Sequence, residues 1–214
     1  MSTDELIQRN VVVLPTGEVL SRALHWSQEL ASLGTEFVLG DTYRAHLSIY
    51  QAAYPGHNEE KLVAAIEEVA AKTRPFKVEM GSYDVFWETF VFWDALLAAE
   101  LISLHHHLLD RLNPLREGKL LPIHQEILND NSIPEGLRSS IREFGNPLCG
   151  AQHRPHITLT RLKDPAMVPR VYVPTPTLGV PLNFPVSSLH LTEVGPHGTC
   201  PRILGEFPLT DGVS

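Results

Sequence analysis

The chain has 214 residues, of which 43% are hydrophobic, so it can bury the core of one globular domain or of two small lobes. Its net charge of −8 at pH 7 argues against a broad basic surface for long nucleic acid. No apolar run approaches the roughly 18 residues that a membrane helix requires, and the acidic start lacks the basic and apolar regions of a signal peptide. We therefore expect a soluble, cytoplasmic protein that binds neither a membrane nor long nucleic acid.

The first half of the chain alternates between strand and helix patterns and then adds a hairpin and a further helix. Its predicted strands, rich in apolar and β-branched residues, cover 10–15, 44–50, 76–83 and 89–93. Its predicted helices, with apolar residues at helical spacing, cover 18–33, 58–71 and 96–112. Asn58 stands at the start of the second helix, where its side chain is placed to cap the first turn.

The second half is less regular. Residues 115–150 predict only two short helical pieces, at 123–128 and 134–144. A strand at 154–160 follows, and the proline-rich stretch 165–185 is expected to be extended or looped. Two last strands are predicted at 187–192 and 202–207, joined by a turn at 195–198.

Two of these strands carry the same short motif, a histidine followed two residues later by a hydroxyl residue. The pairs are His46 with Ser48 and His156 with Thr158. Residues at i and i+2 of a strand project from the same face, so each imidazole lies beside its hydroxyl. A single histidine on a strand is more often structural, but the repetition predicts a duplicated unit that brings two imidazoles to one cleft.

Two histidines across a groove can divide acid–base work on a phosphate ester. The unprotonated ring takes a proton from the attacking water, and the protonated ring donates one to the departing oxygen. Ser48 and Thr158 are hydroxyl donors that can hold the non-bridging phosphate oxygens. This chemistry requires no metal and no cofactor, and the sequence leaves open which histidine is the acid.

Other histidines and hydroxyl residues fit structural roles better. Adjacent residues of a helix point about 100° apart, so the run His105-His106-His107 predicts a helix face rather than a metal site. His153 lies three residues before His156 and is expected to face the opposite side of the strand. Tyr50 and Thr160, each four residues after a motif histidine, either extend the cleft floor or pack as ordinary strand residues.

Two further features are ambiguous from sequence. Phe86 and Trp87 fall in a predicted turn, where they either cover the edge of the core or stack on a nucleobase, and the first interpretation is favoured. Cys149 has no base beside it in sequence and is interpreted as structural. Local positive charge near the two motifs could come from Arg44, Arg154, Arg161 and Lys163.

The motifs His46-Leu47-Ser48-Ile49 and His156-Ile157-Thr158-Leu159 resemble the paired His-x-Thr/Ser-apolar signatures of the two-histidine (2H) phosphoesterase superfamily. This group includes the RNA 2′,3′-cyclic phosphodiesterases, historically called 2′-5′ RNA ligases. Arg161 matches an arginine often found after the second motif, and residues 76–93 and 189–209 resemble the central and closing hairpins of the family. Residues 115–150 exceed what a minimal member needs, and Ser48 replaces the commoner threonine.

The resemblance implies an α+β fold with two pseudo-duplicated βα lobes, whose antiparallel sheets face a central cleft. The whole chain, 1–214, is expected to form this single domain, with 115–150 as an insert or lid. His46 and His156 would be catalytic. The substrate-binding residues would be Ser48, Thr158, Arg161 and Tyr50.

The function implied is metal-independent hydrolysis of a nucleoside or RNA 2′,3′-cyclic phosphate, with a small nucleotide or short RNA end as the partner. Two alternatives stay open. One is 2′-5′ phosphodiester hydrolysis or RNA-ligase-type activity at the same site. The other is a non-catalytic module that senses a nucleotide, although a binder would not need both imidazoles.

Overall fold

The computed structural model of the chain describes residues 5–171 and 182–210. The strands are β1 (Leu6–Val13), β2 (Leu47–Pro55), β3 (Phe76–Phe86), β4 (Phe90–Ala95), β5 (His156–Arg161), β6 (Asn183–Val186), β7 (Ser188–Glu193) and β8 (Ile203–Pro208). The α-helices are α1 (Gly17–Leu30), α2 (Glu59–Ala71), α3 (Ala99–Leu112), α4 (Pro122–Asn129) and α5 (Glu135–Phe144). In the described part of the chain, no helix is long and apolar enough to cross a bilayer.

The strands form one antiparallel sheet in the order β6-β3-β4-β5-β2-β1-β7-β8, with the two motif strands at its centre. β2 and β5 are joined through the pair Leu47–Ile157. Four strands lie on each side of this junction, so the sheet divides into two lobes of equal strand number. The expected bilobal α+β fold is confirmed, and its two antiparallel halves are parts of a single continuous sheet.

The helices cover the sheet and bury its apolar side. α1 packs on β5 and β6 in one lobe, whereas α2 packs on β7 and β8 and α3 on β2 in the other. The apolar residues of the motifs, Leu47, Ile157 and Leu159, point into this core and are completely buried. The alternate residues of the same strands are consequently left on the opposite, cleft-facing side.

A β-bulge interrupts β2 directly after its motif. Val11 of β1 pairs with Tyr50, but the next residue, Val12, pairs with Ser48, so Ile49 is the extra residue. An inserted residue shifts the in–out alternation of a strand by one position. The side chains after Ile49 are therefore displaced to the face opposite the one that simple alternation predicts.

β5 contains the same irregularity at the matching position. Val91 of β4 pairs with Thr160, and Phe92 pairs with Thr158, which leaves Leu159 as the extra residue. In both strands the bulge is thus the third residue after the motif histidine. The duplication expected from the motifs extends to this backbone detail.

The bulges turn two residues inward and bring two others to the cleft face. Tyr50 and Thr160 are 1% and 0% exposed, and the Thr160 hydroxyl donates to the carbonyl of Phe37 at 2.6 Å. Of the two interpretations that the sequence leaves open for Thr160, ordinary strand packing is therefore the one that the structure shows. Gln51 and Arg161 instead return to the side that carries the motif histidines.

Two local expectations also differ from the structure. Asn58 stands before α2 but makes no capping bond; its Nδ2 donates to Leu115 O and to Glu117 Oε1, both at 2.9 Å. In the proline-rich stretch, predicted to be extended or looped, Pro165–Arg170 instead forms a 3-10 helix. The end of the stretch is extended as the short strand β6, where Pro185 is tolerated because the strand lies at the edge of the sheet. The part of this stretch at 172–181 falls outside the described residues.

The junction between the lobes gives a stability prediction. Replacing Leu47 with alanine removes a completely buried side chain and should lower the free energy of unfolding by about 3 kcal/mol. Urea denaturation would measure this change. Val63→Ala, at an exposed position of α2, is the control and should change stability by less than about 0.5 kcal/mol. Equal effects of the two substitutions would contradict the packing described here.

Candidate active site

A cleft of about 870 Å³, including space open to solvent, lies over the junction of the two lobes. All four motif side chains, His46, Ser48, His156 and Thr158, line it. The structure thus brings the four motif residues together in one cleft. The remaining walls come from the β3–β4 hairpin, from the segment that follows α5 and from the turn around residues 197–198.

The strand register sets which motif residues are neighbours. Leu47 pairs with Ile157 in an antiparallel arrangement. Extending that register by one residue in each direction places His46 beside Thr158 and Ser48 beside His156. Directly opposed side chains on one face of a sheet lie roughly 5 Å apart at Cβ. Each imidazole therefore neighbours the hydroxyl of the other motif, with an approximate two-fold relation between the halves.

Both histidines are held by the same hydrogen bond. Nδ1 of His46 lies 2.9 Å from the carbonyl oxygen of Arg44, and Nδ1 of His156 lies 2.7 Å from that of Arg154. A carbonyl can only accept, so Nδ1 carries the proton in each ring. The neutral ring then has its lone pair on Nε2, which is the form that accepts a proton.

Burial keeps both rings neutral in the unliganded protein. It lowers the pKa of His46 below its usual value, although the backbones of Arg44 and Gly198 partly offset this effect. It lowers the pKa of His156 to about 4, and this ring stacks on Phe92 with centroids 3.6 Å apart. An anion placed between the rings would raise the pKa of either one by direct attraction.

Arg154 lines the cleft, but its charge is already paired. Its Nε and Nη2 donate to the two carboxylate oxygens of Asp94 at 2.9 and 2.8 Å, and Nη2 also reaches Asp84 at 2.8 Å. The guanidinium lies over the rings of Phe86 and Phe92. Of the described residues that line the cleft, Arg154 is the only arginine, and none is a lysine, aspartate or glutamate. The cleft therefore holds little free positive charge.

Arg161 stands one layer behind the cleft wall. Its Nη1 donates to Nδ1 of His197 at 2.8 Å, and its Nε donates to Thr89 Oγ1 at 3.3 Å. His197 lines the cleft and has a left-handed backbone conformation, with φ of 59°. Arg161 can therefore act on the cleft through His197, a residue that the sequence analysis did not select.

Tyr50 forms part of the wall, but its hydroxyl is engaged away from the motif residues. The oxygen lies 2.9 Å from the carbonyl of Phe144 and 3.2 Å from Asn113 Oδ1. Burial raises the pKa of this phenol well above its usual value. The hydroxyl thus ties β2 to the end of α5.

The segment 115–150 supplies one wall of the cleft. His124 of α4 and the residues that follow α5, Asn146 to Cys149, line it. The buried Arg116 fastens the segment, because its Nη1 donates to Asn113 Oδ1 at 2.6 Å and its Nη2 to the Lys119 carbonyl at 2.9 Å. Burial raises the pKa of the Cys149 thiol, which keeps it protonated. The segment therefore shapes the cleft on the side of the first motif.

Three residues that the sequence analysis set aside also line the cleft. His153 does so because it lies in a turn before β5 begins, where strand alternation does not apply. Phe86 and Trp87 do so because β3 continues to Phe86 and places both aromatics at the rim. The favoured interpretation of these aromatics as core cover is wrong for Trp87, which is 40% exposed.

The histidine run of α3 behaves as predicted for a helix face. His105 is buried, and its Nδ1 donates to the Ile49 carbonyl at 2.7 Å while its Nε2 accepts from the Gly150 amide at 2.9 Å. His106 and His107 are exposed. Among residues 5–171 and 182–210, no group of three His, Cys, Asp or Glu side chains is arranged to hold a metal ion. His105 braces the bulge of β2.

The paired histidines, their hydroxyl neighbours and the two-lobed sheet define a protein of the two-histidine phosphoesterase class. The sequence profile of the 2′-5′ RNA ligase superfamily matches residues 40–197. The chain belongs to this superfamily, and the membership supports a phosphoesterase-type activity. No curated protein sequence matches the chain.

Solved structures share the fold over nearly the whole chain. TT0787 of Thermus thermophilus has a TM-score of 0.61 at 18% identity, covering 95% of this chain and 98% of its own. Escherichia coli LigT complexed with 3′-AMP has a TM-score of 0.62 at 15% identity, covering 97% and 99%. A structure described as a phosphoesterase scores 0.62 at 16% identity, covering 97% and 100%. At these identities the similarity establishes the fold.

The histidine environment predicts a specific pH dependence. By nitrogen-15 NMR, His156 should be the neutral Nδ1–H tautomer at pH 7 and should take up its second proton near pH 4. In the unfolded chain this histidine binds the proton near pH 6.5. Between pH 6.5 and 4 the unfolded chain is therefore protonated at His156, whereas the folded protein is not. Stability should consequently fall as the pH drops from about 6.5 towards 4. Titration of His156 at or above pH 6.5 would contradict this assignment.

Proposed function

We propose that the protein hydrolyses the 2′,3′-cyclic phosphate of a nucleoside or of a short RNA end. His46 and His156 act as the acid–base pair, and Ser48 and Thr158 donate hydrogen bonds to the non-bridging oxygens. The observation that carries the proposal is the duplicated geometry, in which each ring is bound through Nδ1 to a carbonyl two residues upstream. That bond leaves both Nε2 atoms for proton transfer.

The reaction follows from the charge states of the rings. Both are neutral before the substrate binds, so one Nε2 can accept a proton from the attacking water. The substrate's negative charge raises the pKa of the other ring. That ring is then protonated and can donate its proton to the leaving oxygen. A bond forms from the water oxygen to phosphorus, and the bond to O2′ or O3′ breaks as that oxygen receives the proton. The product is a phosphate monoester.

The electrostatics of the cleft fit a substrate with a single charge. A cyclic phosphodiester carries one negative charge, whereas a longer RNA carries one for each residue. Arg154, the strongest cation in the cleft wall, is neutralised by Asp84 and Asp94. Neutral hydroxyl and amide donors suffice to stabilise one negative charge that is shared by the two non-bridging phosphate oxygens. The cleft therefore favours a small ligand over a polyanion.

The rim of the cleft supports a nucleoside as the rest of the substrate. Phe86, Trp87 and Phe90 line the cleft beside the second motif, and aromatic side chains stack on any base. Structures of the similar E. coli LigT are described as complexes with 3′-AMP, ATP and NADP+. These descriptions support a small nucleotide as the ligand of this chain too.

A second candidate activity is cleavage or formation of a 2′-5′ phosphodiester, which the name of the matching family favours. It would use the same two histidines on a linear ester. A 2′-5′-linked dinucleotide therefore belongs in the substrate panel.

The deciding experiment incubates the protein with the four nucleoside 2′,3′-cyclic phosphates and a 2′-5′ dinucleotide in EDTA and follows phosphorus NMR. A 2′- or 3′-monophosphate from the cyclic substrates is the expected product, and its regiochemistry identifies the leaving oxygen. Turnover of the dinucleotide alone would establish the second candidate. Binding of a cyclic phosphate with no product would favour a sensor and contradict hydrolysis.

Substitution of either histidine should abolish turnover. Each acid–base group contributes about 10²- to 10⁴-fold, so His46→Ala and His156→Ala should each lose at least 10²-fold in kcat. The circular dichroism spectrum should stay native. His107→Ala, at an exposed position of α3, is the matched control and should retain full activity. A fully active His156→Ala protein would refute the mechanism.

A further inference from the structure

A single buried amide in β1 contacts two cleft residues at once. Asn10 is 1% exposed and precedes three buried valines. Its Nδ2 donates to Ser48 Oγ at 2.8 Å and to Gln51 Oε1 at 3.4 Å. Ser48 and Gln51 both line the cleft, so the amide connects the core of the sheet to the candidate active site.

The bulge at Ile49 makes this double contact possible. Asn10 lies opposite Gln51 in the β1–β2 register, and Val12 lies opposite Ser48. Ser48 and Gln51 are three positions apart, so in a regular strand they would point to opposite faces. The extra residue between them shifts the alternation by one. Both side chains therefore project to the side that Asn10 faces.

The direction of these hydrogen bonds fixes what the two partners can offer a ligand. Ser48 has one hydroxyl proton and here accepts from Asn10, so its own proton is directed elsewhere. Gln51 accepts through Oε1. The other half of its amide, the Nε2 donor group, is therefore the half that remains for a ligand. Both side chains therefore become hydrogen-bond donors in the cleft.

Asn10 is poorly explained as a stabilising residue. Its Oδ1 is buried and has no hydrogen-bond partner among the described residues. A buried acceptor without a partner lowers the stability of the folded state. An apolar residue would match the valines that follow and would avoid this penalty. The contacts that the amide does make lead to cleft residues.

We infer that Asn10 is a positioning residue that holds Ser48 and Gln51 as a pair of donors to the phosphate oxygens, and that Gln51 is a further substrate-binding residue. The inference rests on the proposed function, since it assigns these donors to the phosphate of that substrate. It also makes the two halves of the site different. The first half supplies two oriented neutral donors, and the second half has Arg161 at the position that matches Gln51.

The test uses two substitutions at Asn10 that alter the amide in different ways. Asn10→Leu removes the donor without adding charge. Asn10→Asp keeps the shape but presents only acceptors, which would turn the Ser48 proton and the Gln51 amide away from the cleft. Each should lower kcat/KM for the best cyclic phosphate of the panel by at least about tenfold. Gln51→Leu should raise KM by a similar factor.

Stability separates positioning from a structural role. Asn10→Leu should unfold at the same urea concentration as the wild type or a higher one, because it removes the unpartnered Oδ1. The matched control is Thr192→Val on the neighbouring strand. Thr192 is also buried, and its hydroxyl donates to the Asn10 carbonyl at 3.3 Å. This control should lose stability and keep its activity.

A triple variant, compared with its double-variant background, tests whether Asn10 acts through its partners. In a Ser48→Ala/Gln51→Leu background, adding Asn10→Leu should change kcat/KM by less than about twofold, because the groups that it orients are gone. Full activity of Asn10→Asp would overturn the inference and leave the proposed function intact. A loss of activity in Asn10→Leu that follows a matching loss of stability would overturn it as well.

Binding distinguishes failure of this inference from failure of the proposed function. If the wild type hydrolyses nothing in the panel, calorimetric titration with 3′-AMP replaces kinetics. At least about tenfold weaker binding by Asn10→Asp and Gln51→Leu would support the donor assignment although hydrolysis had failed. Unchanged binding by both, or no binding by the wild type, would overturn the assignment.

Discussion

The pairing of Leu47 with Ile157 is the constraint on which the site depends. It joins the two four-stranded halves of the sheet and fixes the register of the motif strands. A slip of one residue would exchange the buried and cleft faces of a strand. The histidines and hydroxyls would then enter the core, and the apolar residues between them would enter the cleft. Core packing and active-site geometry are thus set by the same contact.

Two β-bulges determine which face of the sheet the residues after each motif occupy. Each lies at the third residue after a motif histidine, at Ile49 and at Leu159. They end the simple in–out alternation of each strand directly after its motif. As a result, Gln51 lines the cleft and Arg161 lies behind its wall against His197, while the Tyr50 hydroxyl braces the end of α5. The sheet therefore carries its duplication in its backbone as well as in its sequence.

The electrostatic design of the cleft relies on neutral groups. Burial lowers the pKa of His46 and His156 and keeps both rings neutral until an anion arrives, and the Nδ1 hydrogen bonds fix which nitrogen carries the proton. The cation beside them, Arg154, serves the fold, because Asp84 and Asp94 hold its guanidinium while its carbonyl orients His156. Such a site becomes positively charged only when the negative charge of the substrate favours protonation of one histidine. That property matches acid–base chemistry on a singly charged ester.

The sequence by itself determined the two motifs, the helices and most strands, because these follow from local periodicity and from side chains two residues apart. It also determined that His46 and His156 would meet, since their motifs repeat. Only the tertiary structure decided which residues beyond the motifs reach the cleft. The inward turn of Tyr50, the entry of His153 and the edge strand β6 depend on bulges, on a turn and on the position of a strand in the sheet. Those features arise from pairing between distant segments, which the periodicity of one segment does not encode.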